Sequence, residues 1–442
     1  MEKHLIGSFL KRIKRPIDLD DNKDYKLVTI KMNHRGVTLR EMKKGDKIKS
    51  KMYVVKEGDF ILSGIDARNG AFGIIPKELD GAIVTNDFWY FDINENIISK
   101  KLFLELTATS WFDTICKRGS DGTTQRIRLQ KDKFFNQKIS LPKIEEQVKL
   151  LDKLLTSKEK QSKINNEIKT QKKLLQNLKQ SILQEAIEGK LTADYRSQNT
   201  TESASELLKR IQEEKKQLIK DKKIKKEKPL PKITKDEIPF QIPDNWVWCR
   251  MQETGLFERG KSKHRPRNDS KLFKNGNIPF VQTGEVARSK NNGYLIDSCS
   301  TYYNEFGLEQ SRLWKKGTMC ITIAANIAQT GFLNIDACFP DSVVGFTALS
   351  DKSISKYVRY FIEATRSDIE KYAPATAQKN INLGIIFMLK VPLPPVNEIK
   401  LIVEKVEEAM SKCSLLEQEI EKSEKHATLL MQSVLKEAFE VA

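Results

Sequence analysis

Gln180-Ser-Ile-Leu-Gln-Glu-Ala-Ile-Glu188 is written a second time as Gln432-Ser-Val-Leu-Lys-Glu-Ala-Phe-Glu440. The match closes a longer one: a shift of 252 positions carries Glu188 onto Glu440, Pro142 onto Pro394, and all of 138–188 onto 390–440 without a gap. A repeat of this length decides the architecture before any single residue does. In the first copy Ile164, Ile168, Leu175, Leu178, Ile182 and Ala186 recur at the three-and-four spacing of a helix seam, and Leu416, Ile420, Ala427, Leu430, Val434 and Ala438 answer them in the second. Each copy is predicted to be one helix of about 45 residues, roughly 65 Å long. The flanking positions are Lys, Glu and Gln, so each helix has one apolar stripe to bury, and its partner in the same register is the other copy. Gln171 and Ser423 share a mid-seam position, where a polar residue costs stability and helps to fix register. Spacing alone allows a parallel or an antiparallel pair.

The 442 residues, 39% hydrophobic with 20 Phe and 5 Trp, can bury more than one core. A net charge of +18 points to a polyanionic partner, nucleic acid before a membrane surface. No stretch of about eighteen apolar residues occurs and the first residues lack a secretory apolar region, so a cytoplasmic protein is expected. Six scattered cysteines without a C-x-x-C pair, beside only four His, argue against a zinc site and for reduced, mostly buried thiols.

Outward from the repeat, the chain divides into a first globular domain (1–142), the first helix (143–190), a linker (191–238), a second globular domain (239–394) and the second helix (395–442). The first domain carries short β-rich runs, such as Tyr53-Val-Val55, Phe60-Ile-Leu62, Ala82-Ile-Val84 and Phe88-Trp-Tyr-Phe91, which suggest a compact α/β domain. Its polar loops hold Asn33, His34 and Arg35; Arg68 and Asn69; and Lys117 and Arg118, residue types that suit base edges and phosphates. In the linker, 202–219 keeps helical spacing with Ser203 or Ser205 as a cap, a Lys-rich run (220–228) reads as a solvated face, and the prolines from Pro229 mark a boundary.

The second domain resembles the first in layout more than in letters. Lys56-Glu-Gly-Asp-Phe-Ile-Leu62 and Lys315-Lys-Gly-Thr-Met-Cys-Ile321 are comparable turn-then-strand units, and Gln125 with Ile127 echoes Gln378 with Ile381. Its most basic strip, Arg259-Gly-Lys-Ser-Lys-His-Arg-Pro-Arg267, supplies Arg259, Lys261, Lys263, His264, Arg265 and Arg267 as candidate DNA contacts, joined by Gln282, Thr283, Asn326 and Gln329 in neighbouring loops. Gly255-Leu-Phe-Glu-Arg-Gly-Lys-Ser262 also satisfies the P-loop pattern, which raises the alternative of a coiled-coil P-loop ATPase acting on DNA. A phosphate cradle needs a helix opening at Lys261, and Pro266, Asn268 and Asp269 argue for a loop instead. No amino-methylation motif, glycine-rich cofactor loop or nuclease-like set of carboxylates and lysine is evident, so a non-catalytic role is expected.

The repeated helices, the linker phrase Ser203-Ala-Ser-Glu-Leu-Leu-Lys-Arg-Ile-Gln-Glu-Glu-Lys215 with Ile238-Pro-Phe-Gln-Ile-Pro-Asp-Asn-Trp246, and the pair Arg265-Pro-Arg-Asn-Asp269 and Pro279-Phe-Val-Gln-Thr-Gly-Glu285 make the chain resemble the specificity subunits of type I restriction-modification systems. The resemblance covers the whole chain, although the first half has no counterpart of Pro239 to Trp246. It implies an α/β (α+β) fold with two pseudo-repeated target-recognition domains separated by an antiparallel coiled coil of two long helices. It further implies that each domain reads half of a split double-stranded DNA site. The helices, through Ile164, Ile168, Leu175, Leu178, Ile182, Leu416, Ile420, Leu430 and Val434, would pair and dock two methyltransferase subunits. Motor-nuclease subunits would complete the complex, with S-adenosylmethionine, ATP and Mg bound by the partners and none by this chain.

Overall fold

The computed structural model describes residues 2–107, 110–122, 127–199, 202–371 and 381–439; for 110 and 431–439 it gives the helix alone. Gln125 and Gln378 lie outside the described residues, as do the side chains of Val434 and Ala438. The chain forms two compact units, residues 1–170 with 421–442, and residues 171–420.

In the first unit, Leu10–Ile13, Phe88–Ile93, Phe60–Ser63 and Phe72–Ile74 form a four-stranded antiparallel sheet in that order. A second sheet of five strands runs Pro16–Ile17, Met52–Val54, Ile83–Val84, Asp24–Ile30, Val37–Lys44. The strands expected at Tyr53, Phe60, Ile83 and Phe88 are all present. Alternation along Phe88–Ile93 sends Trp89 and Phe91 into one core and Tyr90 into another. The first of these cores is built on phenylalanines, with Phe60 edge-on to Phe103 at 5.0 Å and to Phe112 at 5.6 Å. Phe112 belongs to helix α1 (Ser110–Arg118), so ring packing ties that helix to the sheet.

A short ladder leads into the long helix. Strand β1 (Glu2–Leu5) pairs antiparallel with β2 (Lys138–Leu141), Glu2 opposite Leu141; Pro142 ends the strand and helix α2 runs from Ile144 to Ile187. The second unit repeats the device. There β3 (Val247–Arg250) pairs with Lys390–Leu393, Val247 opposite Leu393, and Pro394 precedes the second long helix, Val396–Phe439. Proline lacks the amide a ladder needs and presets a helical φ, so strand, proline, helix is the natural order.

The second unit's main sheet has five strands: β4 (Gly255–Arg259), Val343–Ala348, β5 (Met319–Thr322), β6 (Thr330–Leu333) and Leu295–Ile296, the last pairing parallel. Between α2 and this sheet, helix α3 (Ala204–Lys220) starts at Ser203, whose side chain accepts from the Ser205 amide at 3.3 Å. Within the linker run, Lys220, Lys222, Lys223, Lys225, Lys226 and Lys228 are exposed.

The two long helices run antiparallel in this unit. Lys179 Nζ meets Glu417 Oε2 at 2.7 Å and Lys405 Nζ meets the Leu191 carbonyl at 2.8 Å, so advancing along one chain means retreating along the other. Leu183, Ala186 and Ile187 pack in one core with Ile399, Ile402, Val403 and Val406. The seam read from the sequence needs correction. Ile168 and Leu175 are buried, whereas Ile164, Leu178, Leu416 and Leu430 are 37%, 45%, 51% and 59% exposed. Lys179 and Glu417, the chain neighbours of Leu178 and Leu416, pair across the helices instead. With Leu174, Leu415 and Leu429 also exposed, the helices do have a second apolar face.

Among the described residues, no helix is long and apolar enough to cross a membrane. All six cysteines are free, and all but Cys299 are buried.

Candidate nucleic-acid interface

In the first unit the turn at 31–36 closes when the Lys31 amide donates to the Gly36 carbonyl at 2.9 Å. Asn33 and His34 both adopt left-handed backbone, φ 59° and 57°, which Asn and His tolerate better than most residues. Their amides donate to Asn69 O at 2.9 Å and Gly70 O at 3.0 Å, fastening the turn to the loop 66–70. Gly70 is required there: φ is +73°, and an added Cβ would stand 2.9 Å from His34 Cδ2. His34 Nε2 lies 3.0 Å from Asp113 Oδ2 of α1, its ring edge-on to Phe72 at 5.0 Å. Asn33, His34, Arg35, Arg68 and Asn69 are thus gathered on one pair of loops. Lys117 and Arg118 follow Asp113 within the same helix. Arg35 Nε donates to Met32 O at 3.2 Å, whereas Arg68 Nη1 is buried with no partner among the described residues.

In the second unit the basic strip leaves the end of β4, and most of its cations are engaged. Arg259 Nε donates to the Asp341 carbonyl at 2.6 Å, and Arg267 Nη2 donates to the Asp341 carboxylate at 2.8 Å. Arg265 Nη1 donates to Ser262 O at 2.6 Å and His264 O at 2.8 Å. His264 Nε2 meets Asp269 Oδ2 at 2.8 Å. The Asp269 carboxyl is held below its ordinary range by the Lys271 amide first and by His264 second. The side chains of Lys261 and Lys263 make no hydrogen bond or ion pair among the described residues; both are exposed.

Gln282 and Thr283 open a short helix, Thr283–Arg288, in which the Gln282 side chain caps the Glu285 amide and donates to Thr301 Oγ1 at 3.1 Å. Asn326 and Gln329 lie in the turn between β5 and β6. Strand register places Arg259 opposite Val344, Val344 opposite Ile321 and Ile321 opposite Thr330, so strip and turn emerge at one end of the sheet. A cleft of about 360 Å³, lined among others by Ser262, Arg267, Asn268, Gln282 and Ser342, opens beside the strip.

The P-loop pattern does not form a phosphate cradle. Gly255–Arg259 is a paired strand, the Gly260 and Lys261 amides donate to Val343 O and Phe339 O at 2.9 and 3.1 Å, and no helix opens at Lys261. Neither amide is left to face a phosphate. Sequence reading missed Asp113 and Asp341, which anchor these loops from 79 and 74 residues away.

Two domains, each gathering amide, imidazole and guanidinium side chains on loops and each ending in a long helix, define a duplicated recognition protein. The family model for the type I restriction modification DNA specificity domain matches residues 7–173 and 243–425, and the chain belongs to that family. It is 47% identical over 104 residues, 23% of its length, to the type I restriction enzyme EcoAI specificity subunit of Escherichia coli, and 26% identical over 258 residues, 56% of its length, to the EcoEI specificity subunit. The matched stretches span 17% and 42% of those relatives. Among solved structures, a chain from work on complex assembly and conformational transition of the type I R-M system matches with TM-score 0.69 at 16% identity, over 99% of this chain and 97% of that one. The HsdS subunit of Thermoanaerobacter tengcongensis matches with TM-score 0.58 at 16% identity, over 100% of this chain and 96% of that one. Both similarities concern the fold.

Proposed function

We propose that this chain is the DNA-reading specificity subunit of a type I restriction-modification complex, non-catalytic itself, with each globular domain reading one half of a bipartite double-stranded site. The observation that carries the reading is the duplication of one device, polar loops on a sheet followed by strand, proline and long helix, in a chain of net charge +18. Phosphates would be met by uncommitted cations such as Lys117, Arg118, Lys261 and Lys263, a sequence-independent and salt-sensitive contribution. The outward leucines Leu174, Leu178, Leu415 and Leu416 offer apolar surface for docking modification subunits, and restriction subunits would join that assembly. S-adenosylmethionine, ATP and Mg belong on those partners in this reading, and the complex acts in the cytoplasm.

Selecting the full-length chain on a pool of randomised duplexes tests the proposal. A motif in two parts separated by unspecified bases is expected. Replacing 239–394 by the equivalent segment of a relative should change one part and keep the other. A single undivided motif, or a wholly new one after the exchange, would count against two independent readers.

A further inference from the structure

We infer that the turn at 323–329, rather than the basic strip, reads bases in the second unit, and that the bases it reads are adenines. The inference rests on the DNA-reading function proposed above. Ala325 and Ala328 in this turn have φ of 62° and 56°. An alanine has no polar side chain to stabilise left-handed backbone, so the surroundings must impose it, and strain of this kind concentrates at functional sites.

The imposing groups are visible. Thr322, fully buried, donates its hydroxyl to the Asn326 carbonyl and accepts from the Gln329 amide at 3.0 Å, while its own amide donates to Gln329 O at 2.9 Å. From outside the turn, the Ile323 amide donates to Ser342 O at 3.0 Å, the Ile381 amide donates to Ile323 O at 2.9 Å, and Arg366 Nε donates to Ala328 O at 3.3 Å. The backbone is held on both sides. Yet the side-chain amides of Asn326, exposed, and Gln329, half-buried, have no hydrogen-bond partner among the described residues.

In the strip the arginines and the histidine are already engaged in part: Arg259 bonds through Nε, Arg265 through Nη1, Arg267 through Nη2 and His264 through Nε2, so each would meet a base only with the donors left over. Lys261 and Lys263, exposed and unpaired among the described residues, suit phosphates. The turn, by contrast, offers a fixed backbone whose side-chain amides keep all of their donors and acceptors for a ligand. Side-chain amides pair bidentately with N6 and N7 of adenine in the major groove, whereas guanidinium groups pair with guanine. Thr322 is then a positioning residue, acting through the two amide-bearing positions.

Selection on randomised duplexes with the full chain, followed by affinity measurements with 7-deazaadenine placed singly in the wild-type motif, tests this. Asn326→Ala and Gln329→Ala should each relax an adenine in one part of the motif, roughly 5- to 150-fold, and leave the other part intact. 7-Deazaadenine at that position should weaken the wild type comparably and leave the Asn326→Ala variant's residual affinity unchanged. Thr322→Val should reproduce the relaxation, and Thr322→Ser, which keeps the hydroxyl, should restore discrimination. The proposal is overturned if both alanine variants return the wild-type motif, if they weaken both parts alike, or if the relaxed position is guanine. A wild-type chain that selects no motif overturns the underlying function and the proposal with it.

Discussion

The two recognition regions are fastened by different means. In the first unit, main-chain amides of Asn33 and His34 reach across to Asn69 and Gly70, and a side-chain tie joins His34 to Asp113. In the second, arginines hold the strip to Asp341 and a buried threonine holds the neighbouring turn. Among the described residues, Arg68 keeps a partnerless nitrogen in the first, while the side-chain amides of Asn326 and Gln329 are without partners in the second. One duplicated frame thus carries two chemistries, because the frame constrains strands and helices and leaves the loops free to find their own locks.

The roots of the long helices show the same contrast, and the largest expected effect lies there. Glu398, fully buried, accepts from Thr192 at 2.6 Å, from Asn245 at 3.2 Å and from Arg196. Gln147 does neutral work in the first copy, accepting from the Ser99 amide at 2.9 Å and donating to Ile97 O and Pro142 O at 2.7 and 3.0 Å. Glu398→Ala strands a part-buried guanidinium and should cost roughly 3–5 kcal/mol. Gln147→Ala strands main-chain groups and should cost about 1–3 kcal/mol. Urea unfolding of both variants checks the order; equal losses would mean that the charged root is no more demanding than the neutral one.

How much of this was legible follows from range in sequence. The long helices and the strands at Tyr53, Phe60, Ile83, Phe88 and Met319 are written in local periodicity, and the repeat indicates the two-domain plan. The ladders rooting the helices were not read, because Glu2–Leu5 and Lys138–Leu141 lie far apart in the chain and neither is strongly apolar in pattern. Among the candidate contacts, sequence supplied residue types in loops and could not rank them. Arg267 is engaged through Asp341 and the backbone at Asn326 is held by Thr322, and neither partner's own letter carries a signal. The seam failed at Leu178 and Leu416 for a related reason: three-and-four spacing admits two neighbouring stripes, and only packing chooses between them.

A smaller effect separates the two anchoring aspartates. Asp113→Ala removes the tie on His34 and should lower affinity for the motif part read by the first domain by up to about tenfold, the worth of one hydrogen bond. Asp341→Ala should act with the opposite sign. It releases Arg267 and deletes a negative charge beside the basic strip, so affinity for random duplex should rise and fall more steeply with salt. Titrations with target and random duplex at two salt concentrations distinguish the cases. A loss of the same size in both variants would show that Asp341 positions a base contact after all.

The smallest effect concerns the helix pair. Lys179 and Glu417 are 32% and 53% exposed in their side chains, so water and salt screen their attraction. A double-mutant cycle with Lys179→Ala and Glu417→Ala should give a coupling of about 0–1 kcal/mol that vanishes in high salt. So weak a pair contributes little to holding the helices together; its consequence is geometric, since opposite charges at these two positions meet only when the helices run antiparallel in this register. Charge reversal sharpens the point: Lys179→Glu alone should destabilise slightly, and Lys179→Glu with Glu417→Lys should recover it without altering the motif selected from random duplexes. A coupling above about 2 kcal/mol that persists in salt would instead mark the pair as desolvated and make it a principal clamp of the seam.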